Sequence, residues 1–300
     1  MTTEIKTPAG GQTFNFARFK NFFAAYLSAN SRKLMLSAGT CFILFLIVFL
    51  LPEWLSNFGA YESFDIELQR GFIHDSTLDP YWDNEFLSAA FLVMILVTLS
   101  GNMMFSAMHG KGNRLLMLTM PASQLEKYAT LFIIYIVGFF AVFFLSFFLA
   151  DAARVLVVKS FSHYGMYAHT LPPAKIFNFD LIQNTNYDGE TVRIYALVVL
   201  IYATALTMGA SFSLGSILWQ KTSYLKTLCS LAALQTVLTI LTVVSIHIFF
   251  DSGMDITPRI ELSRNILHYD LLSLLLLLFP ALLFWFGYLR FKDTDVVERW

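Results

Sequence analysis

The sequence predicts an all-α integral membrane protein: one transmembrane domain over residues 1–300, with six transmembrane helices, an N-terminal amphipathic elbow helix in the membrane interface, and a short cytoplasmic helix between spans two and three. Three observations predict it. The chain is 57% hydrophobic and only 14% charged, too apolar for the half-wet helices of a soluble domain this size. Six runs, 34–51, 86–106, 128–150, 194–218, 227–250 and 271–289, hold no Asp, Glu, Lys or Arg. About 20 apolar residues cross a hydrocarbon core of about 30 Å as a helix, which satisfies every backbone polar group within the segment.

The third observation is how charge divides between the connecting segments. Residues 1–33, 107–127, 219–226 and 290–300 carry 13 Lys/Arg and 5 Asp/Glu, whereas 52–85, 151–193 and 251–270 carry 7 and 16. The Lys/Arg bias sets orientation, so both termini are expected on the cytoplasmic side of an inner membrane. The basic residues are scattered at span ends, without a patch interleaved with stacking aromatics, so the pattern gives no support to nucleic-acid binding. The first apolar run starts at Leu34 and is long enough to remain a span, so no cleavable signal is expected. Cys41 and Cys229 fall inside spans and are expected as buried thiols packing as small apolar groups.

Taken in order, residues 14–30 form the expected elbow helix. Phe16, Phe19, Phe23 and Leu27 fall on one stripe while Arg18, Asn21, Ala25 and Ser28 face away, a pattern for lying at a membrane surface. Thr13 is a candidate cap, and Arg32 and Lys33 are expected to anchor a turn into span one. Such a helix either anchors the chain or also touches a cytoplasmic partner. The loop 52–85 ends in Asp79-Pro80-Tyr81-Trp82, which suits an interfacial turn before span two. The longest outer loop, 155–192, carries Pro172-Pro173 and Asn186-Tyr187-Asp188-Gly189 turns and is expected to pack as a small cap. Its His163 and His169 lack partners at metal-ligand spacing and are expected at the surface.

Polar residues within the spans are few. Asn102, Gln235 and His247 are expected either to hydrogen-bond between helices or to line a pathway, because a polar group facing lipid costs free energy. Pro280 is expected to kink span six, since it removes a backbone donor and crowds the preceding turn. Span four places Ala205, Gly209 and Ser213 four apart, with Ser211 and Gly215 close by, a spacing that lets two helix backbones approach. Whether the neighbour is in this chain or in a second copy is open at this stage.

Catalytic patterns are missing. The chain has no Gly-x-x-x-x-Gly-Lys-Ser/Thr, since His109-Gly110-Lys111-Gly112 lacks the first glycine and the hydroxyl. His-Glu-x-x-His and Gly-x-Ser-x-Gly are absent as well, and no carboxylates pair within a span.

The remaining segment, residues 113–128, interrupts the apolar runs with a proline and an ionic pair. Ser123-Gln124-Leu125-Glu126 is a capping-box pattern directly before span three. Pro121 disfavours helix at Met120, so a helix over 108–119 should end there. Leu115, Leu116, Met117, Leu118 and Met120, flanked by Lys111 and Arg114, make a soft apolar surface suited to docking.

The ordered combination of an amphipathic elbow, six spans and this loop resembles the membrane subunit of type-2 ABC exporters. The loop after the second span of such subunits reads approximately Gly/Arg-x-x-x-x-Leu-x-x-Pro-x-Ser-x-x-Glu and forms a coupling helix. Arg114, Leu118, Pro121, Ser123, Glu126 and Lys127 match that pattern. Residues 214–227 are similar to the short basic loop after the fourth span of such subunits, and residues 287–300 to their Tyr-x-Arg-x-Lys-acidic ending. The resemblance implies a permease subunit that is not itself an enzyme. It would pair with a second membrane subunit, identical or related, and with a separate cytoplasmic ATPase carrying ATP and magnesium. No cofactor or metal is expected on this chain, and Arg114 to Lys127 would transmit force. The longest outer loop lies between spans three and four, whereas relatives with a large outer domain often place it between spans five and six. Two other readings stay open: a membrane-embedded enzyme acting on lipids or peptides through His247 or Asn102, and a secondary carrier built from inverted three-span halves.

Overall fold

A computed structural model describes residues 14–70, 79–106, 121–173, 195–219, 221–251 and 266–297. The regular secondary structure among them is all helical, without a strand. In chain order the long elements are α1 (Phe16–Leu55), α2 (Gly59–Gln69), α3 (Trp82–Met103), α4 (Gln124–Phe161), α5 (Tyr195–Leu218), α6 (Ser223–Asp251) and α7 (Ile266–Val297). Five of them, α1, α3, α4, α5 and α6, contain stretches long and apolar enough to cross a membrane. The sixth apolar run, 271–289, lies within α7.

The separate elbow gives way to a single helix. α1 runs for 40 residues without a break at Arg32 and Lys33. At about 1.5 Å per residue it is about 60 Å long, twice the thickness of a hydrocarbon core. The junction contains no glycine or proline, and its polar side chains turn back on their own helix: Asn30 donates to the Tyr26 carbonyl and Ser31 to that of Ser28. The N-cap is Asn15 rather than Thr13, which lies outside the described residues; the Asn15 Oδ1 accepts from the Ala17 and Arg18 amides. A second stripe of the same helix faces the protein. Phe22 and Tyr26 pack inward, while Phe16 and Leu27 are exposed.

Three clusters organise the packing. The middle is an aromatic seam between α1 and α4, where Phe45 and Phe49 meet Phe143 and Phe147 edge-on at centroid distances of 5.0 to 5.7 Å. Phenylalanines four apart on each helix form the facing rows. A second cluster joins Phe22 and Tyr26 of α1, Phe105 beyond α3, Leu131 of α4 and Phe291 of α7, so the first helix begins and the last one ends at the same end of the bundle. This is the terminal end. The third, at the distal end, gathers Tyr61, Phe64, Tyr81, Val158 and Tyr167.

α5 packs between α3 and α7. A methyl group on Gly101 of α3 would collide with the backbone oxygen of Gly209 of α5, so these helices touch backbone to backbone. Gly215 likewise receives Thr227 of α6, while Ala205 and Ser213 are buried on the same helix. The small-residue stripe of span four therefore serves packing within this chain. Thr222, just before α6, has φ 53°, in the left-handed region. Cys41 is buried as expected, but Cys229 is exposed, because α6 presents its outer face to the surroundings.

α4 starts at the predicted cap and extends beyond the apolar run to Phe161, since no breaker occurs before Ser162 and Gly165. It contains a π turn at Ile133–Val137, which disturbs the regular carbonyl ladder. Ser100 of α3 donates to the Tyr135 carbonyl there, and the hydroxyls of Tyr26 and Tyr135 lie 3.3 Å apart.

Candidate functional site

At the terminal end, the start of α4 and the start of α1 meet on one carboxylate. Ser123 has extended backbone, and its hydroxyl accepts from the Glu126 amide at 3.3 Å while Glu126 Oε2 accepts from the Ser123 amide at 2.9 Å. This is the reciprocal capping box that the spacing predicts. The other carboxylate oxygen leaves the local turn. Glu126 Oε1 accepts from the Asn15 amide at 2.8 Å and from Arg18 Nη2 at 3.1 Å. Glu126 is fully buried, and Lys127 beside it nearly so. The carboxylate thus caps its own helix and also satisfies a first-turn donor of α1, as a negative charge does best at helix N-termini.

Pro121 is exposed just before this junction. Arg114 and Leu118, with the whole expected helix 108–119, lie outside the described residues. The α4 turn above the junction is held against α7, because the Tyr128 hydroxyl donates to the Phe284 carbonyl at 2.7 Å.

The distal end holds a polar centre that the sequence reading did not assemble. Arg154, on the last turns of α4, is fully buried. Its guanidinium reaches Glu53 near the end of α1 at 3.2 Å, Asp79 before α3 at 3.0 Å and Asp151 one turn back at 2.9 Å, and its Nε contacts Glu85 of α3. It also donates to the Tyr61 hydroxyl of α2 at 2.7 Å and to the His169 carbonyl at 3.0 Å. Burial is the main reason the Tyr61 phenol titrates above its ordinary range; Arg154 opposes that shift, and Asp79 and Glu53 add to it. The fork of an arginine suits this role, because its five N–H donors can bind several acceptors in one plane. α2 was not foreseen; it starts from Phe58 in the left-handed region, φ 61°.

The sequence offered one local trace of this centre, Asp151 and Arg154 three apart on a helix. The other carboxylates read as ordinary loop charges. His163 is exposed as expected, whereas His169 is half-buried and contributes its backbone to the centre: its amide donates to Asp79 and its carbonyl accepts from Trp82 and Arg154. Among the described residues no group of three or more His, Cys, Asp or Glu is arranged to hold a metal ion.

The span residues separate into distinct roles. Asn102 accepts from the Ser223 hydroxyl at 2.7 Å, an interhelical bond between α3 and α6. Gln235 lies on the exposed face of α6. Pro280 is buried within α7, which continues through it. His247 lies in α6, with its side chain outside the described residues.

The fold and these sites define a chain of membrane-spanning character, with helices as its regular structure among the described residues, tied at its terminal end by Glu126 and at its distal end by Arg154. No family model, curated protein or solved structure matches it.

Proposed function

We propose that this chain is the permease subunit of an ATP-driven exporter of the type-2 ABC kind. It crosses the inner membrane six times with both termini in the cytoplasm, and works with a second membrane subunit and a separate cytoplasmic ATPase. ATP and magnesium belong to that ATPase. The observation that carries this reading is the Glu126 junction. One buried carboxylate ties the base of the 107–127 loop to the first turns of two long helices. Force delivered to the loop therefore reaches α1 and α4 together. A loop that merely connected two spans would not need such an anchor. Arg114 and Leu118 would meet the ATPase, Pro121 and Ser123 would set the angle of the lever, and Lys127, buried beside Glu126, would pass force into α4.

Purification in mild detergent should recover a nucleotide-binding ATPase with this chain. Glu126→Ala and Pro121→Leu should leave insertion intact while ATP hydrolysis in the complex no longer drives transport. Full coupling in both variants, or a chain that never crosslinks to an ATPase, would remove the proposal.

A further inference from the structure

The distal centre holds more negative charge than its cation can balance. Four carboxylates, Glu53, Asp79, Glu85 and Asp151, surround Arg154, the cation of this cluster among the described residues, and none of the five side chains is more than 4% exposed. Fully ionised, the cluster would bury three uncompensated negative charges, which a water-free site does not tolerate. Neutralisation by protons is the cheapest remedy; full balance takes more than one, and the hydrogen bonds single out the carboxylate that binds the first. Asp79 accepts from Arg154, Tyr61 and the amides of Tyr81 and His169, so it is satisfied as an anion. Asp151 accepts from Arg154 and from the Leu171 amide at 2.7 Å. Glu53 accepts from Arg154 through Oε1 while its Oε2 has no partner, and Glu85 is less satisfied still: it is 3% exposed, touches Arg154 Nε, and neither of its oxygens has a hydrogen bond among the described residues.

We propose that Glu85 is a proton-binding site that clamps the distal cap: the carboxyl keeps its proton while α2 and the 162–171 segment are packed on the helix ends, and its release to water loosens them. The charged and titratable groups that face it are Arg154 and Asp151 from α4, Asp79 from the turn before α3, Glu53 from α1, and Tyr61 of α2 through its bond to Arg154. Deprotonation would leave Glu85 as one more anion among Glu53, Asp79 and Asp151. The cap hangs on the same centre, through Tyr61 and the backbone of His169 and Leu171. The inference does not depend on the exporter reading.

The sign follows from linkage. The folded chain holds a proton that an unfolded glutamate, titrating near pH ~4.3, releases. Stability from this group is therefore complete below about pH 4. It falls as pH rises, by about tenfold in the folding equilibrium per pH unit while the folded form keeps the proton.

The test is thermal unfolding of the full chain in detergent micelles from about pH 5 to about pH 9. Wild type should lose stability progressively, and Glu85→Gln, which mimics the protonated acid, should remain folded and lose that component. Asp79→Asn should be destabilised at every pH. Infrared difference spectra of wild type at neutral pH should contain a protonated-carboxyl stretch that Glu85→Gln removes. Three results would each overturn the assignment: Glu85→Gln as damaging as Asp79→Asn, no protonated-carboxyl band in wild type, or stabilisation by sodium or calcium at fixed pH that Glu85→Gln abolishes. The last would identify a metal cation as the ligand.

Discussion

The carboxylate of Glu126 accepts from the backbone amide of Asn15 at 2.8 Å, joining residues 111 apart in the chain. The two ends it joins are helix starts, where amides lack intrahelical acceptors. Both starts thus have one of their orphan donors satisfied by the same side chain. Arg18 adds an ion pair, but with its side chain 36% exposed this contact contributes under about 1 kcal/mol.

Glu126→Ala should therefore lower stability by about 3 kcal/mol, because the Asn15 and Ser123 amides lose a charged acceptor in a buried setting. Ser123→Ala removes one arm of the box and should cost about 1 kcal/mol. Thermal unfolding in micelles measures both. Amide exchange separates them: Glu126→Ala should speed exchange in the first turns of α1 and α4, and Ser123→Ala mainly in α4.

Which features were legible follows from the distance over which they are encoded. The capping box spans four consecutive residues, so Ser123 and Glu126 announced it. The apolar runs were legible for the same reason, since lipid-facing composition is a property of each segment alone. The bond to Asn15 was not, because nothing near residue 15 marks it as a partner of residue 126. The boundary of the elbow is a different case. Amphipathic spacing at 14–30 suggested a separate element, but a helix ends only where something stops it, and the junction holds neither proline nor glycine. The distal centre was hidden because its members come from α1, α2, α3, α4 and two loops, each an ordinary charge in its own neighbourhood.

Arg154→Met should be among the most damaging substitutions in the chain, at about 4 kcal/mol. It leaves Asp79 and Asp151 buried without their counter-ion. Arg154→Lys should rescue little, since three donors on one nitrogen cannot replace a fork that reaches Glu53, Asp79, Asp151, Tyr61 and His169. Unfolding midpoints and the yield of inserted protein give the comparison. A lysine variant as stable as wild type would show that charge alone suffices.

The Asn102–Ser223 hydrogen bond between α3 and α6 is suited to a double-mutant cycle. Asn102→Ala and Ser223→Ala should each destabilise, and the double variant should cost less than their sum by about 0.6 kcal/mol, the average coupling for such interhelical bonds. Unfolding in micelles again supplies the numbers. Zero coupling would mean that water or another partner takes over when either side chain is removed.

The α3–α5 crossing makes the sharpest steric prediction. A Cβ on Gly101 would meet the Gly209 carbonyl, and a Cβ on Gly209 would come within 2.9 Å of the Val97 side chain. The two positions are not equivalent. The obstacle to Gly101→Ala is backbone, which can yield only by moving a helix, whereas the Val97 methyl can turn or shift. Gly101→Ala should therefore cost about 2–3 kcal/mol and Gly209→Ala about 1 kcal/mol. Gly39 on α1 provides the control. Nothing lies within 4 Å of its would-be Cβ, so Gly39→Ala should be neutral or stabilising by up to about 1 kcal/mol through helix propensity. Unfolding midpoints ranked Gly39→Ala above Gly209→Ala above Gly101→Ala would bear out the backbone contact, and the reverse order for the last two would place the tight approach on the side chain of Val97 instead.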